Sequence, residues 1–256
     1  MNNIDSCLIL GNLSLNDMFI INGIVNYYST LYNKVFILCK KKDINNITQL
    51  YSHNNIIIPV CTDIEGDIVP HDHKIYNMYD NIIKIGSHNN NWEILKSNLL
   101  IGGHPYLYFK TFYQQLNLNY ELRYTYEKIN RDNISEKKFY NKVITNYNGK
   151  YKFVYNLIKN DIIEDNDIPI FNPYINYYNI YSKFYNLWNG TISNNIFDYS
   201  LILENATEIH LSFNEFISLS MLLDLSKIKK KYVYTSITNI KDYHVNLIDW
   251  KVIFTL

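Results

Sequence analysis

The chain has 256 residues, enough for one large domain or two small ones, with 47% hydrophobic and 19% charged residues and a formal net charge of zero. That balance fits a globular protein with a sizeable core. It offers no general electrostatic pull toward nucleic acid or an anionic membrane, so a polyanion-binding role is disfavoured.

In chain order, Ser6–Gly11 reads as a short strand, followed by Ile20, Ile21, Ile24, Val25, Tyr28 and Tyr32 at helical spacing on one face. Lys34–Cys39 gives a second strand, apolar on both faces as in a parallel sheet. Asp43–Tyr51 reads as a second helix, and Asn55–Ile58 as a third strand stopped by Pro59. Residues 62 to 80 are loop-like, Asn81–Gly86 is another strand, and Gly102-Gly103-His104-Pro105 is a break. Tyr106–Leu116 and Ser135–Ile144 look helical, with Arg123 and Arg131 between them. The polar stretch Asn146–Lys150 marks the expected domain boundary, which gives lobes of residues 1–147 and 148–256. The second half offers strands at Tyr151–Tyr155, Ile168–Phe171, Glu208–Leu211 and Lys231–Thr235. Helices at Asn176–Asn186, Ile196–Glu204 and Asn214–Leu225 separate them, the last with Phe216, Leu219, Leu222 and Leu223 on one face. The order is that of an α/β protein with doubly wound parallel sheets.

Two strand-to-helix turns read alike: Ser14-Leu15-Asn16-Asp17 after Leu8–Leu10, and Ser212-Phe213-Asn214-Glu215 after Ile209–Leu211. Both carry a capping-box pattern at the carboxyl end of a strand, where helix N–H groups attract anions in open α/β sheets.

Composition carries warnings of its own. The chain holds 25 tyrosines, 8 glycines and a single alanine, Ala206, a skew expected of A+T-biased codons rather than of function. Arg123 and Arg131 are the only arginines among 24 basic residues, so each marks a place where planar, bidentate donation matters. Cys7, Cys39 and Cys61 lack ligand spacing and read as buried free thiols of a reducing, cytoplasmic compartment. Nothing approaches the ~18 uninterrupted apolar residues of a membrane span, and the basic region of a signal peptide is missing. His71-Asp72-His73 has the look of a metal pair, but no third ligand clusters with it, and a solvated loop is the plainer reading. No metal is expected. P-loop, dinucleotide-binding and nucleophile-elbow motifs are all missing.

The opening run Asn12–Asn26, with Asp17 and Gly23, resembles the first loop and helix of sugar-nucleotide-dependent glycosyltransferases of GT-B-like fold. Three further segments look similar in order: Phe112-Tyr113 followed by Arg123, Arg131-Asp132 and Glu136; Gly149 to Asn156; and Ala206 to Phe216. The resemblance spans most of the chain and, with the composition, looks like proteins of large DNA viruses or protists. It implies two Rossmann-like lobes with a cleft between them, the first on the acceptor side and the second holding the nucleotide sugar. It also implies metal-independent transfer of a sugar to a hydroxyl of a glycan or protein acceptor, with the nucleotide-sugar donor as substrate and no tightly bound cofactor. Asp17 would be the general base, unless it serves only the capping box of Ser14.

The donor would meet Asn16, Arg123, Arg131, Tyr155, Asn156, His210 and the turn Ser212, Phe213, Asn214, Glu215. The arginines have an alternative in salt bridges with Glu127 and Glu136, and His210 in a satisfied, half-buried position. Family glycines fall on Ser14 and Asn16, a histidine on Met18, an arginine on Asn26, a His-Asp pair on Tyr155-Asn156 and a serine on Glu215. A carboxylate at position 215 satisfies the same N–H groups as a phosphate and repels one. A second expectation therefore stands beside transfer: a catalytically degenerate relative that binds a glycan or protein through tyrosine-rich surface.

Overall fold

The computed structural model describes residues 4–90, 106–144, 150–155, 168, 170–171, 173, 193–212, 215–235 and 249–254. The expected break at 102–105, the helix at 176–186, the boundary residues 146–149 and the site residues Asn156, Phe213 and Asn214 lie outside them. Compact packing divides the chain into residues Met1–Asn130 and Arg131–Leu256.

The first unit is a four-stranded, all-parallel sheet in the order β3-β2-β1-β4, built from β1 (Ile4–Leu10), β2 (Tyr32–Lys40), β3 (Ile57–Thr62) and β4 (Ile82–Lys84). Its central strands are apolar on both faces because helices pack over them; Cys7, Leu8, Ile9, Leu10, Val35 and Ile37 are inaccessible to solvent. The segment after β1 forms two helices rather than the single one expected: α1 (Leu15–Ile20) and α2 (Asn22–Tyr28), broken at Ile21. Tyr32, expected on the helix, opens β2. Pro59 does not stop the third strand but lies within it, opposite Ile37. The position tolerates proline because β3 is at the edge of the described sheet, where a strand can lack an N–H donor on its outer side. A 3-10 turn, Lys41–Asp43, leads into α3 (Ile44–Tyr51), which buries Ile47, Leu50 and Tyr51.

Farther along are α4 (Tyr106–Gln114) and α5 (Leu122–Tyr126). Helix α5 packs on α2 at Gly23, where a Cβ would stand 2.7 Å from Tyr113 Oη and 2.9 Å from Arg123 Cα. Backbone on one side of that contact cannot swing away as a side-chain tip does. Gly23→Ala is expected to force the two helices apart and destabilise the first unit by about 1–3 kcal/mol, read as a lower urea midpoint.

The second unit is a five-stranded parallel sheet, β6-β5-β7-β8-β9, of β5 (Lys152–Tyr155), β6 (Ile170–Phe171), β7 (Glu208–Ser212), β8 (Lys230–Thr235) and β9 (Lys251–Phe254). Strand β9 was not expected from the sequence. Helix α6 (Asn133–Ile144), expected in the first lobe, belongs to this unit: Phe139 meets Tyr199 edge-on at 5.0 Å, in the 3-10 turn Ile196–Tyr199 that leads into α7 (Ser200–Glu204).

Helix α8 is shorter than the periodicity suggests, Glu215–Ser220, and turns follow it, so Leu222 and Leu223 lie beyond its end. Period-two alternation splits the sheet's residues between faces. Phe153 and Tyr155 lie against Phe216, with Phe171 and Tyr199 joining the same aromatic cluster. The alternate positions Lys152, Glu208, His210, Lys230, Tyr232 and Tyr234 carry a polar network instead.

Candidate functional site

In each unit the strand order reverses next to the first strand, between β1 and β4 in one sheet and between β5 and β7 in the other. Such switch points open a crevice beyond the strands' carboxyl ends, where ligands of open α/β sheets bind.

In the first unit that place is stitched by polar contacts. The Asn12 side chain, in the loop after β1, accepts from Ser87 N at 3.1 Å in the loop after β4. Gly86 has φ of 64°, and a Cβ there would stand 2.7 Å from Asn12 Oδ1. Its amide donates to Gln115 Oε1 at 2.7 Å and its carbonyl accepts from Gln115 Nε2 at 3.1 Å, so one side chain from beyond α4 fixes both sides of the peptide. Asp17 is buried in the first turn of α1, and its amide donates to Ser14 Oγ at 3.1 Å, the capping contact the sequence leads one to expect. Asn16 is the half-exposed residue just before it. Nearby, Lys40 pairs with Asp67, and His88 is buried between Val69 N (3.4 Å) and Tyr76 Oη (3.1 Å). Burial, with Lys84 and His71 in support, lowers the His88 pKa to about 4 and keeps the ring neutral.

In the second unit a described side-chain pair lies at the switch point. Tyr155, the last residue of β5, donates from Oη to Glu215 Oε1 at 2.8 Å, and Glu215 is the first residue of α8. The carboxylate thus sits at the helix start where the transferase reading needs a phosphate. Ser212 ends β7 half-buried beside this pair of elements.

Both arginines are held by carboxylates of their own unit. Arg123 is buried in α5, where Nε and Nη2 reach Glu127 Oε1 at 3.2 Å and Nη1 reaches Tyr120 Oη at 2.9 Å. Burial opposes its charge, but Glu127 and Tyr120 outweigh burial and hold the guanidinium above its usual pKa. Glu127, largely covered, is itself pushed up by desolvation against the pull of Arg123. Arg131 is gripped on two sides. Nε meets both Glu136 oxygens at 3.0 and 3.1 Å and Nη2 reaches Glu136 as well, while Nη1 and Nη2 meet Glu204 at 2.6 and 2.9 Å. The salt-bridge alternative is therefore the observed state of both. Each guanidinium thus turns its donors toward carboxylates of its own unit.

His210 is buried mid-strand in β7 and not at a loop edge. Its Nε2 meets Glu208 Oε2 at 3.3 Å and its Nδ1 meets Tyr234 Oη at 2.8 Å, while the ring stacks on Tyr232 with centroids 4.6 Å apart. Glu208 also receives Lys230 Nζ at 2.7 Å and Lys152 Nζ at 3.6 Å, because Lys152, Glu208 and Lys230 are register partners on three adjacent strands. Burial lowers the His210 pKa to about 4 despite the Glu208 hydrogen bond, and the two lysines push the same way. Sequence reasoning missed Glu208, Lys152 and Tyr234. The available signal was a lysine inside the otherwise apolar run Tyr151–Tyr155 and the alternation Glu208, His210 on one face.

Among the described residues no cluster of three or more His, Cys, Asp or Glu side chains could hold a metal ion, and His73 instead caps the turn at Ile75. No described helix is long and apolar enough to cross a membrane. No family model, characterised protein or solved structure matches the chain.

Proposed function

We propose that this chain keeps a pair of GT-B-like nucleotide-fold lobes but has lost sugar transfer, and that it works as a binding module for a glycan or a protein partner. One observation carries the reading: Glu215, the first residue of α8 at the second switch point, is bonded by Tyr155. A sugar-nucleotide enzyme without a metal needs that helix start and nearby cations for the leaving diphosphate. Glu215 brings a carboxylate to that helix start, which would repel a phosphate, and Arg123 and Arg131 pair with Glu127, Glu136 and Glu204. For the partner, the first unit offers a run of ring contacts, Tyr126 to Tyr27 to Tyr28 to Tyr32, with Tyr124 and Leu31 exposed. Amphipathic rings of that kind suit sugar faces and protein surfaces alike. We place the protein in the cytoplasm, a reducing compartment in keeping with the free thiols of Cys7, Cys39 and Cys61.

The second reading, a working glycosyltransferase, is favoured by Asp17 alone, a buried carboxylate at a helix start beside a switch point. Thermal-shift titration with nucleoside diphosphates and sugar nucleotides separates the two. A ligand at a hundred times its Kd stabilises by about 2.7 kcal/mol, several degrees in Tm. The binding-module reading expects no nucleotide to move Tm. A saturable shift overturns it, and loss of sugar transfer in Asp17→Asn would then assign the base.

A further inference from the structure

Independently of that reading, the first sheet contains a pair of thiols that the fold places side by side. Cys39 of β2 and Cys61 of β3 are direct register partners on adjacent parallel strands, one pair before the ladder ends at Lys40 and Thr62. Registered residues of a parallel ladder project from the same face, and the strand spacing of ~4.8 Å places their Cα atoms inside the ~4.4–6.8 Å range that a disulfide spans. The two thiols differ in access: Cys61, on the edge strand, is exposed, whereas Cys39 is buried. Cys7, the third cysteine, is buried in β1 and registers with Val35.

We propose that Cys39 and Cys61 form a redox-modification site, which a hydroperoxide oxidises to an intramolecular disulfide across the β2–β3 ladder. Access assigns the order of events. The Cys61 sulfur attacks a peroxide oxygen; the S–O bond forms, the O–O bond breaks, and the departing oxygen leaves as water (or as an alcohol from an organic peroxide), carrying the Cys61 proton. The Cys39 sulfur then attacks the Cys61 sulfenic acid. The S–S bond forms, the S–O bond breaks, and the hydroxyl leaves as a second water with the Cys39 proton. Two thiols lose two hydrogens, two electrons pass to the peroxide, and one peroxide is consumed per bridge.

Resolution is the slow step. Burial first, then Cys61 and Asp43, push the Cys39 thiol up to about 12, so little of it is thiolate at neutral pH. The bridge clips the chain between Lys40 and Val60, which carries α3, to the edge of the sheet. A thiol reductant reopens it.

The experiment uses the full chain, reduced, desalted and exposed to stoichiometric hydrogen peroxide, then alkylated and mapped without reductant by mass spectrometry. The expected product is a monomer with a Cys39–Cys61 linked peptide, two hydrogens lighter and reversed by dithiothreitol, with Cys7 still alkylatable after denaturation. Sulfinic acid at Cys61 with Cys39 reduced, or a Cys61–Cys61 link between two copies, overturns the proposal. In Cys39→Ala the resolving thiol is gone, so dimedone should trap Cys61 sulfenic acid about tenfold more than in the unsubstituted protein; equal trapping overturns it. Phenylarsine oxide tests the geometry without substitution. One arsenical per chain should protect Cys39 and Cys61 together from alkylation, and protection of neither, or of Cys61 alone, would show that the sulfurs do not converge.

Discussion

Replacing Arg131 with alanine is expected to destabilise the second unit by about 3–5 kcal/mol, because it strands two carboxylates that nothing else in the described contacts neutralises as fully. The Glu136 side chain is 0% exposed and that of Glu204 16%, so neither can simply hydrate in place. Desolvation already pushes the Glu136 carboxyl up, and the Arg131 hydrogen bonds are what hold it back. Arg131 lies just ahead of α6, Glu136 lies on α6 and Glu204 ends α7, so the guanidinium ties two helices together through a planar fork. Lysine offers a point charge with three donors and cannot make planar, bidentate contacts to both carboxylates, so Arg131→Lys should recover less than half of the loss. The double variant Arg131→Met with Glu136→Met should lie well above the sum of its single-residue effects, since it removes the buried charge with its partner. Urea denaturation with amide exchange in α6 and α7 measures each term. Strict additivity, or a cost for Arg131→Ala below about 1 kcal/mol, would return Arg131 to the list of ligand-binding cations.

How far the sequence discloses this structure depends on the range over which each contact acts. The Ser14 cap, the apolar parallel strands and the pairs Arg123–Glu127 and Arg131–Glu136 lie within a few residues of one another, so local spacing reveals them. The second carboxylate on Arg131, Glu204, comes from a distant helix and leaves no local trace. Pro59 misleads because proline stops a central strand but not an edge strand, and edge position is a property of the sheet. The Lys152–Glu208–Lys230 row and the Cys39–Cys61 pair depend on register, which the residues of a single strand do not encode. For the same reason the sequence leaves His210 between a donor contact and a satisfied, half-buried position, and only the ladder shows it buried beneath a stacked tyrosine. Glu215 is the intermediate case: its position at a helix start is legible, but its bond to Tyr155 is not.

Acid should unfold the second unit through His210, and the sign follows from its hydrogen bonds. Glu208 is a carboxylate that its lysine neighbours hold below its usual pKa against the cost of burial, so it can only accept; Nε2 therefore carries the ring proton and Nδ1 accepts from Tyr234 Oη. The neutral imidazole is thus satisfied at both nitrogens. A second proton on Nδ1 would face the hydroxyl hydrogen of Tyr234 and add positive charge beside Lys152 and Lys230. The folded pKa, about 4, lies below the 6.5 of an unfolded histidine. Stability is accordingly complete above pH 6.5 and falls as pH drops toward 4, by about 2 kcal/mol at pH 5 and about 3 kcal/mol at the end of the window. Glu136, whose carboxyl is raised, works in the opposite direction near its own titration, but it is common to both proteins in a comparison and cancels. His210→Gln keeps a donor for Glu208 and an acceptor for Tyr234 without a titrating ring. Amide exchange of β5 and β7 between pH 7 and 5 should therefore fall in protection for the unsubstituted protein and stay level for the variant; parallel slopes would mean that His210 is not the group that binds the proton.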